Sequence, residues 1–221
     1  AIVMALCIGN YVGGLKSRPA KIAKIFEVVK CLDIIFLQET HFYTQNDANF
    51  FNQVFETTFI IFHSFAALRC TGIVIMLNKN IFSLQNCQRI FEIEGRCLGT
   101  KIQLLKASLM ILCVYAPAKP NFRAKFFEYI DRKLNETEFN FSDILVAGDF
   151  NCVENTGLDS YPARPGSVEP GVIKLLDLNN RYSLNDPFRT LNPTKDLYTF
   201  SSNRKTLSRI DRCYVSANML Q

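Results

Sequence analysis

Two kinds of apolar pattern alternate along the chain. Short unbroken apolar runs at residues 2–8, 34–37, 72–77, 108–114 and 144–147 read as buried strands. Between them lie longer stretches whose apolar residues recur three and four apart. Ile22, Ile25, Phe26 and Val29 make one such face, behind a helix start marked by Ser17 and Pro19. Residues 46–56 carry Phe50, Phe51, Val54 and Phe55, and residues 122–135 carry Phe126, Phe127, Ile130 and Leu134. A shorter helix is predicted at 171–179, with Val172, Leu175 and Leu176 inward.

The remaining runs, at 59–65, 81–93 and 97–104, also read as strands. Short connections such as Asn78-Lys79-Asn80 predict antiparallel pairing there. Residues 198–200 and 208–215 read as two strands of one hairpin with its tip at 201–207. Asp186-Pro187-Phe188-Arg189 reads as a turn. After Asn151 comes a Pro- and Gly-containing loop of about 17 residues, long enough to suspect a role. Strand, helix, strand occurs twice, which implies two crossover units. The predicted architecture is a four-layer α/β sandwich: two mixed β-sheets face to face, helices on the outside, one domain over 1–221.

Composition supports this size of core. The chain has 221 residues, 48% of them hydrophobic, with 19 Phe. Its apolar runs fall short of the roughly 20 residues that cross a bilayer, so no membrane partner is expected. The apolar start lacks a basic n-region and a cleavage pattern, so it reads as a strand rather than a signal peptide. A net charge of +5 is compatible with a polyanionic partner. None of the 8 Cys forms a CxxC pair and the histidines are only His41 and His63, which argues against zinc. That cysteine usage suits a reduced, intracellular setting.

Polar residues collect at strand ends, and that changes the picture. Gly148 breaks the run at 144–147. Asp149 and Asn151 follow at i and i+2, on one side of an extended chain. Asn10 ends the first strand, Gln38-Glu39-Thr40-His41 the second, and Tyr115 the one that begins at Ser108. Open α/β sheets bind ligands at the carboxyl ends of their strands. A carboxylate and an amide there can hold a water and a phosphoryl oxygen, and a single carboxylate such as Glu39 suits Mg²⁺. Plainer readings stand beside these. Asn10 is then a turn former, Glu39 a solvated loop charge, His41 a packing or capping residue, and Tyr115 a half-buried ring with its hydroxyl in water. Arg96 is either a phosphate contact or an exposed cap. Arg204 and Lys205 at the hairpin tip either protect a sheet edge or enter a DNA groove.

Six motifs occur in order: Asn10, Gln38-Glu39-Thr40-His41, Val114-Tyr115-Ala116-Pro117, Gly148-Asp149-Phe150-Asn151, Tyr198-Thr199-Phe200 and Ser208-Arg209-Ile210-Asp211. The set resembles the endonuclease/exonuclease/phosphatase superfamily, and most of all the apurinic-type endonuclease domain of non-LTR (LINE-like) retrotransposons. Asp186 to Arg189 is similar to that branch as well. The resemblance implies cleavage of double-stranded DNA that depends on Mg²⁺ or Mn²⁺. In that family the nick primes reverse transcription by a downstream reverse transcriptase domain of the parent polypeptide, which implies a nuclear location for the parent. By the same resemblance Glu39 holds the metal, and Asp149 orients or deprotonates the attacking water. Asn10, Tyr115 and Asn151 hold the scissile phosphate, and Asp211 completes the catalytic set. Thr199, Arg189, Arg204 and Lys205 contact the DNA.

One departure matters. The family ends with a further strand carrying Ser-Asp-His, and its His is oriented by the carboxylate matching Asp211. Here ten residues follow Asp211 and none is His. The expectation is therefore a domain incomplete at its C-terminal end, its last strand missing, that cuts DNA poorly. Two alternatives remain: a phosphatase or sphingomyelinase-like phosphoesterase of the same fold, and a non-catalytic remnant that binds nucleic acid.

Overall fold

The computed structural model describes residues 6–10, 14–16, 18–29, 31–66, 71–136, 141–163, 166, 168–202 and 206–220. The chain opens with β1 (Leu6–Asn10), α1 (Pro19–Val29) and β2 (Ile34–Gln38). β1 and β2 are parallel, from Leu6 beside Ile34 to Asn10 beside Gln38, so α1 is the crossover such a pair requires. Next is α2 (Gln45–Phe55). Its start is fixed by a capping box: the Asp47 N–H donates to the Thr44 hydroxyl, and the Asp47 carboxylate accepts from the Thr44 N–H. β3 (Phe59–Ser64) and β4 (Ile73–Asn78) complete a sheet ordered β1-β2-β4-β3. Ile22, Ile25, Phe51 and Phe55 from the two helices pack on Ile35, Leu37 and Met76 of this sheet.

The second half begins with β5 (Cys87–Ile93), β6 (Cys97–Gln103), β7 (Ser108–Tyr115), α3 (Pro120–Glu136) and β8 (Asp143–Asp149). It continues through β9 (Ser160–Tyr161), α4 (Pro170–Arg181), β10 (Leu184–Asn185) and α5 (Pro187–Leu191). It closes with β11 (Phe200–Ser201), β12 (Leu207–Ser208) and β13 (Asp211–Ser216). The second sheet is ordered β10-β13-β8-β7-β6-β5. Only β7 and β8 are parallel in it, and α3 makes their crossover. α3 and α4 cover its outer face, with Phe127, Ile130, Leu175 and Leu178 against Leu112 and Val146. The inner faces meet through Phe36 and Ile75 on one side and Leu98, Ile111 and Leu145 on the other. The four-layer sandwich of mixed sheets is thus the observed fold. Among the described residues no helix is long and apolar enough to cross a membrane.

Several local expectations give way. Residues 81–86 do not form a strand. They make a turn and a 3-10 segment, Leu84–Asn86, with Ile81 and Leu84 exposed, and pairing starts at Cys87. Gly148 does not end its strand but carries β8 on to Asp149. Asp186 is more than a turn residue. Its carboxylate accepts the Arg189 N–H and caps α5. The strand predicted at 208–215 divides: β12 pairs with β11 and β9 in a small third sheet, while β13 joins β8. The division falls at Arg209, whose side chain is drawn into ion pairs with Asp159 and Asp186. The loop after Asn151 therefore contains a strand, β9. Ser17, Arg204 and Lys205 lie outside the described residues.

Candidate active site

The carboxyl ends of β1, β2, β7 and β8 meet at one end of the sandwich, and hydrogen bonds between candidate residues join the sheets there. Asn10 Nδ2 donates to Asp149 Oδ2 at 2.8 Å. The Tyr115 hydroxyl donates to Glu39 Oε1 at 2.6 Å. Tyr115 is the register partner of Asp149 on one side, and Asp211 is its partner on the other. Asn151 donates twice, from its N–H to Asp149 Oδ1 at 2.7 Å and from Nδ2 to the Ala116 carbonyl at 2.9 Å. Asn10, Glu39, Tyr115, Asp149, Asn151 and Asp211 thus converge as the motif order predicts.

The backbone is strained where it delivers these groups. Glu39 has φ 55° and Asn151 φ 49°, both left-handed. A non-glycine residue held there costs about 1–3 kcal/mol and needs firm surroundings. For Asn151 these are its own two bonds. For Glu39 they are the next two peptides, whose N–H groups at Thr40 and His41 donate to the Gly72 and Thr71 carbonyls. Gly148 has φ +144°, and a Cβ there would stand 1.9 Å from the Val114 carbonyl oxygen. Only glycine lets β8 pass β7 this closely and still present Asp149.

Burial pushes the Asp149 carboxyl up to about 7, and the nearby Asp211 charge adds to it. Glu39 raises it further, while the Asn151 N–H and Asn10 amide act the other way. Asp211 is also raised, chiefly by burial. Burial and the bond to Glu39 push the Tyr115 hydroxyl up, so it stays a donor at neutral pH. Crowded carboxyls of this kind favour a cation among them. Asn10 Oδ1 and Asp211 Oδ1 are buried with no hydrogen-bond partner among the described residues. No three His, Cys, Asp or Glu side chains close on one point among those residues. A single protein carboxylate is nevertheless a common complement for Mg²⁺, which takes its other oxygens from water and phosphate. Glu39, with the orphaned Asn10 oxygen near by, fits such an ion.

An open cleft of about 450 Å³ borders this cluster, lined by Asn10, Thr199, Asp211 and Cys213 among others. A second, of about 560 Å³, runs from Asn151 to Phe200 and Ile210. Thr199 Oγ1 accepts the N–H groups of Ile210 and Asp211, so it fixes the start of β13. Arg189 does not stand free: Nη2 donates to Asp159 at 2.6 Å, and Nη1 to the carbonyls of Asn192, Pro193 and Lys195. The Arg96 guanidinium lies 5.2 Å from the Tyr115 ring and donates to the Tyr115 carbonyl at 3.3 Å. The His41 ring packs against Gly14, which matches its plainer reading. Sequence reasoning gave no role to Asp159, which accepts from both Arg189 and Arg209, or to Arg212. Arg209 lies inside the Ser-Arg-Ile-Asp motif, and that was its only signal.

Residues 12–220 match the model of the Endonuclease/Exonuclease/phosphatase family. The 149 kDa protein of transposon TX1 from Xenopus laevis is 26% identical over 205 residues. That match covers 89% of this chain but 15% of the relative, so the chain spans a small part of that protein's length. Among solved structures, an AP endonuclease from Leishmania major superposes with a TM-score of 0.75 at 19% identity, over 97% of this chain and 79% of that one. The catalytic domain of APE2 from Xenopus laevis gives 0.73 at 17% identity, over 97% and 83%. The 3' phosphatase NExo from Neisseria, bound to product DNA hairpin, gives 0.70 at 19% identity, over 99% and 88%. At these identities the structural likeness is one of fold. With the family model covering almost the whole chain, the protein belongs to the endonuclease/exonuclease/phosphatase family.

Proposed function

We propose that the chain is the endonuclease domain of a LINE-like retrotransposon. It nicks double-stranded DNA with the aid of Mg²⁺ or Mn²⁺, and the nick primes a downstream reverse transcriptase domain of the parent polypeptide. The observation that carries this reading is the meeting of Asn10, Glu39, Tyr115, Asp149 and Asn151, brought from both sheets to one end of the sandwich and joined there by hydrogen bonds. Likeness to the transposon TX1 protein supports the retrotransposon setting. The solved relatives, an AP endonuclease and a 3' phosphatase by name, support phosphoester chemistry on DNA.

The roles follow from the geometry. Asp149 accepts the proton of the attacking water, and a carboxyl near 7 is a base matched to neutral pH. Asn10 and the Asn151 N–H hold its two oxygens, so the carboxylate cannot rotate away from the water. Asn151 Nδ2 and the Tyr115 hydroxyl hold phosphate oxygens once substrate replaces Ala116 and Glu39 as their acceptors. Glu39 holds the metal. When bound, that ion neutralises charge that develops on the phosphate. Asp211 is the carboxylate for which the family resemblance supplies a histidine. None bonds it among the described residues, so nicking by this chain is expected to be slow.

The test is nicking of supercoiled plasmid with Mg²⁺. Slow conversion to open circle, abolished by EDTA and by Glu39→Ala, is expected. Cleavage indifferent to both would overturn the reading. Hydrolysis of a soluble phosphoester without nicking would move the protein to the phosphatase or sphingomyelinase-like class. Metal-independent DNA binding with no hydrolysis would make it a non-catalytic remnant.

A further inference from the structure

Arg212 is the largest fully buried side chain among the described residues. Its guanidinium sits 5.2 Å from the Phe150 ring and 5.8 Å from the Tyr214 ring. Nη2 donates to the Cys152 carbonyl at 3.0 Å and lies 3.4 Å from Cys152 Sγ. Its carboxylate partner, Glu154, is 3.9 Å from Nη1 and already accepts the Tyr214 hydroxyl at 2.7 Å. Nε and Nη1 have no hydrogen-bond partner among the described residues.

This is a poor way to stabilise a core. A buried cation with a distant counter-charge and idle donors is commonly no better than an apolar side chain of the same volume. What the guanidinium does hold is specific. Its ring partner, Phe150, immediately precedes Asn151, and its carbonyl partner, Cys152, immediately follows. Asn151 between them is the residue in the left-handed conformation. Arg212 stands in register with Gly148, so no cross-strand side chain competes for that face.

We propose that Arg212 is a positioning residue: from inside the core it grips the residues on either side of Asn151 and keeps the Asn151 side chain aimed at the substrate phosphate. The catalytic part of this rests on the nuclease reading. The structural part does not.

Arg212→Met and Arg212→Lys in the full chain test it. Arg212→Met is expected to shift Tm by only a few degrees, because relief from burying a charge offsets the donor lost by the Cys152 carbonyl, and Glu154 is distant and partly exposed. Hydrogen exchange at the Asn151 amide should speed up about ten-fold or more, with the Ile144 to Ala147 amides as internal reference. The nicking kcat should fall about ten- to a hundred-fold at nearly constant KM, the effect of a displaced group rather than a lost contact. Lysine can still donate to a carbonyl and should recover part of both. Unchanged exchange at Asn151 in a folded Arg212→Met protein would overturn the inference, as would activity that falls only in step with Tm. If the wild-type protein nicks nothing, the nuclease reading fails, while the exchange measurement still decides the role of Arg212.

Discussion

Asp149 and Asp211 stand opposite each other as register partners on β8 and β13, one buried and the other half-buried. Burial and the facing charge hold Asp149 at about 7 against an ordinary value of 3.8. Without a bound cation the folded protein therefore keeps a proton that the unfolded chain has already lost. The stability Asp149 contributes is full below pH 3.8 and is lost as pH rises through about 7. At 1.36 kcal/mol per pH unit the ceiling is about 4 kcal/mol, shared with Asp211 because the two titrate together. In EDTA, Tm should fall as pH goes from about 5 to about 7.5, and Asp149→Asn should flatten that slope. Equal slopes for the two proteins would exclude this origin.

Glu39 both accepts the Tyr115 hydroxyl and raises the Asp149 pKa. Glu39→Gln keeps an acceptor for Tyr115 but removes the charge. Two effects should separate in this variant. The Asp149 titration, followed by carboxyl ¹³C shifts, should move down. On the proposed reading, nicking should drop by about a hundred-fold or more, because the cation would lose its protein carboxylate. An unmoved Asp149 titration would mean that Glu39 is screened from it.

Gly148→Ala isolates the backbone requirement. The added Cβ meets carbonyl oxygen rather than a side chain that can swing away. Left-handed strain of about 1–3 kcal/mol adds to the displacement of β7, so a loss of about 3 kcal/mol or more is expected by denaturant unfolding. Near-native stability would show that β7 and β8 can part without cost.

The sequence made the layers legible because burial on both faces leaves nearly continuous apolar runs, as in 34–37 and 108–114, and burial on one face leaves the spacing of Ile22, Ile25 and Val29. Strand-end positions placed Asn10, Glu39, Tyr115 and Asp149 at one edge, since a chain leaving a buried strand puts its first polar side chains there. Three things stayed hidden. Gly148 looked like a strand breaker because its φ depends on β7, a strand far off in sequence. Arg212 drew no reading from the sequence, because a lone basic residue ordinarily lies at the surface, although here it is buried. The division of 208–215 depends on Asp159 and Asp186, which no local pattern connects to Arg209.

Arg189 tests how far motif reasoning reaches. As a DNA contact it would release about one counterion, giving a salt slope near 0.9 in log Kd against log salt. The structure instead pairs it at 2.6 Å with Asp159, whose side chain is 2% exposed. Losing one partner of a buried pair costs about 3–5 kcal/mol, but two facts reduce this here. The Arg189 side chain is 21% exposed, and Arg209 still bonds the same Asp159 oxygen. Arg189→Met is therefore expected to cost about 1–2 kcal/mol of stability. The salt slope of duplex binding should stay as in wild type. A slope lower by about 0.9 at unchanged Tm would return Arg189 to the DNA interface and leave the Asp159 pair a bystander.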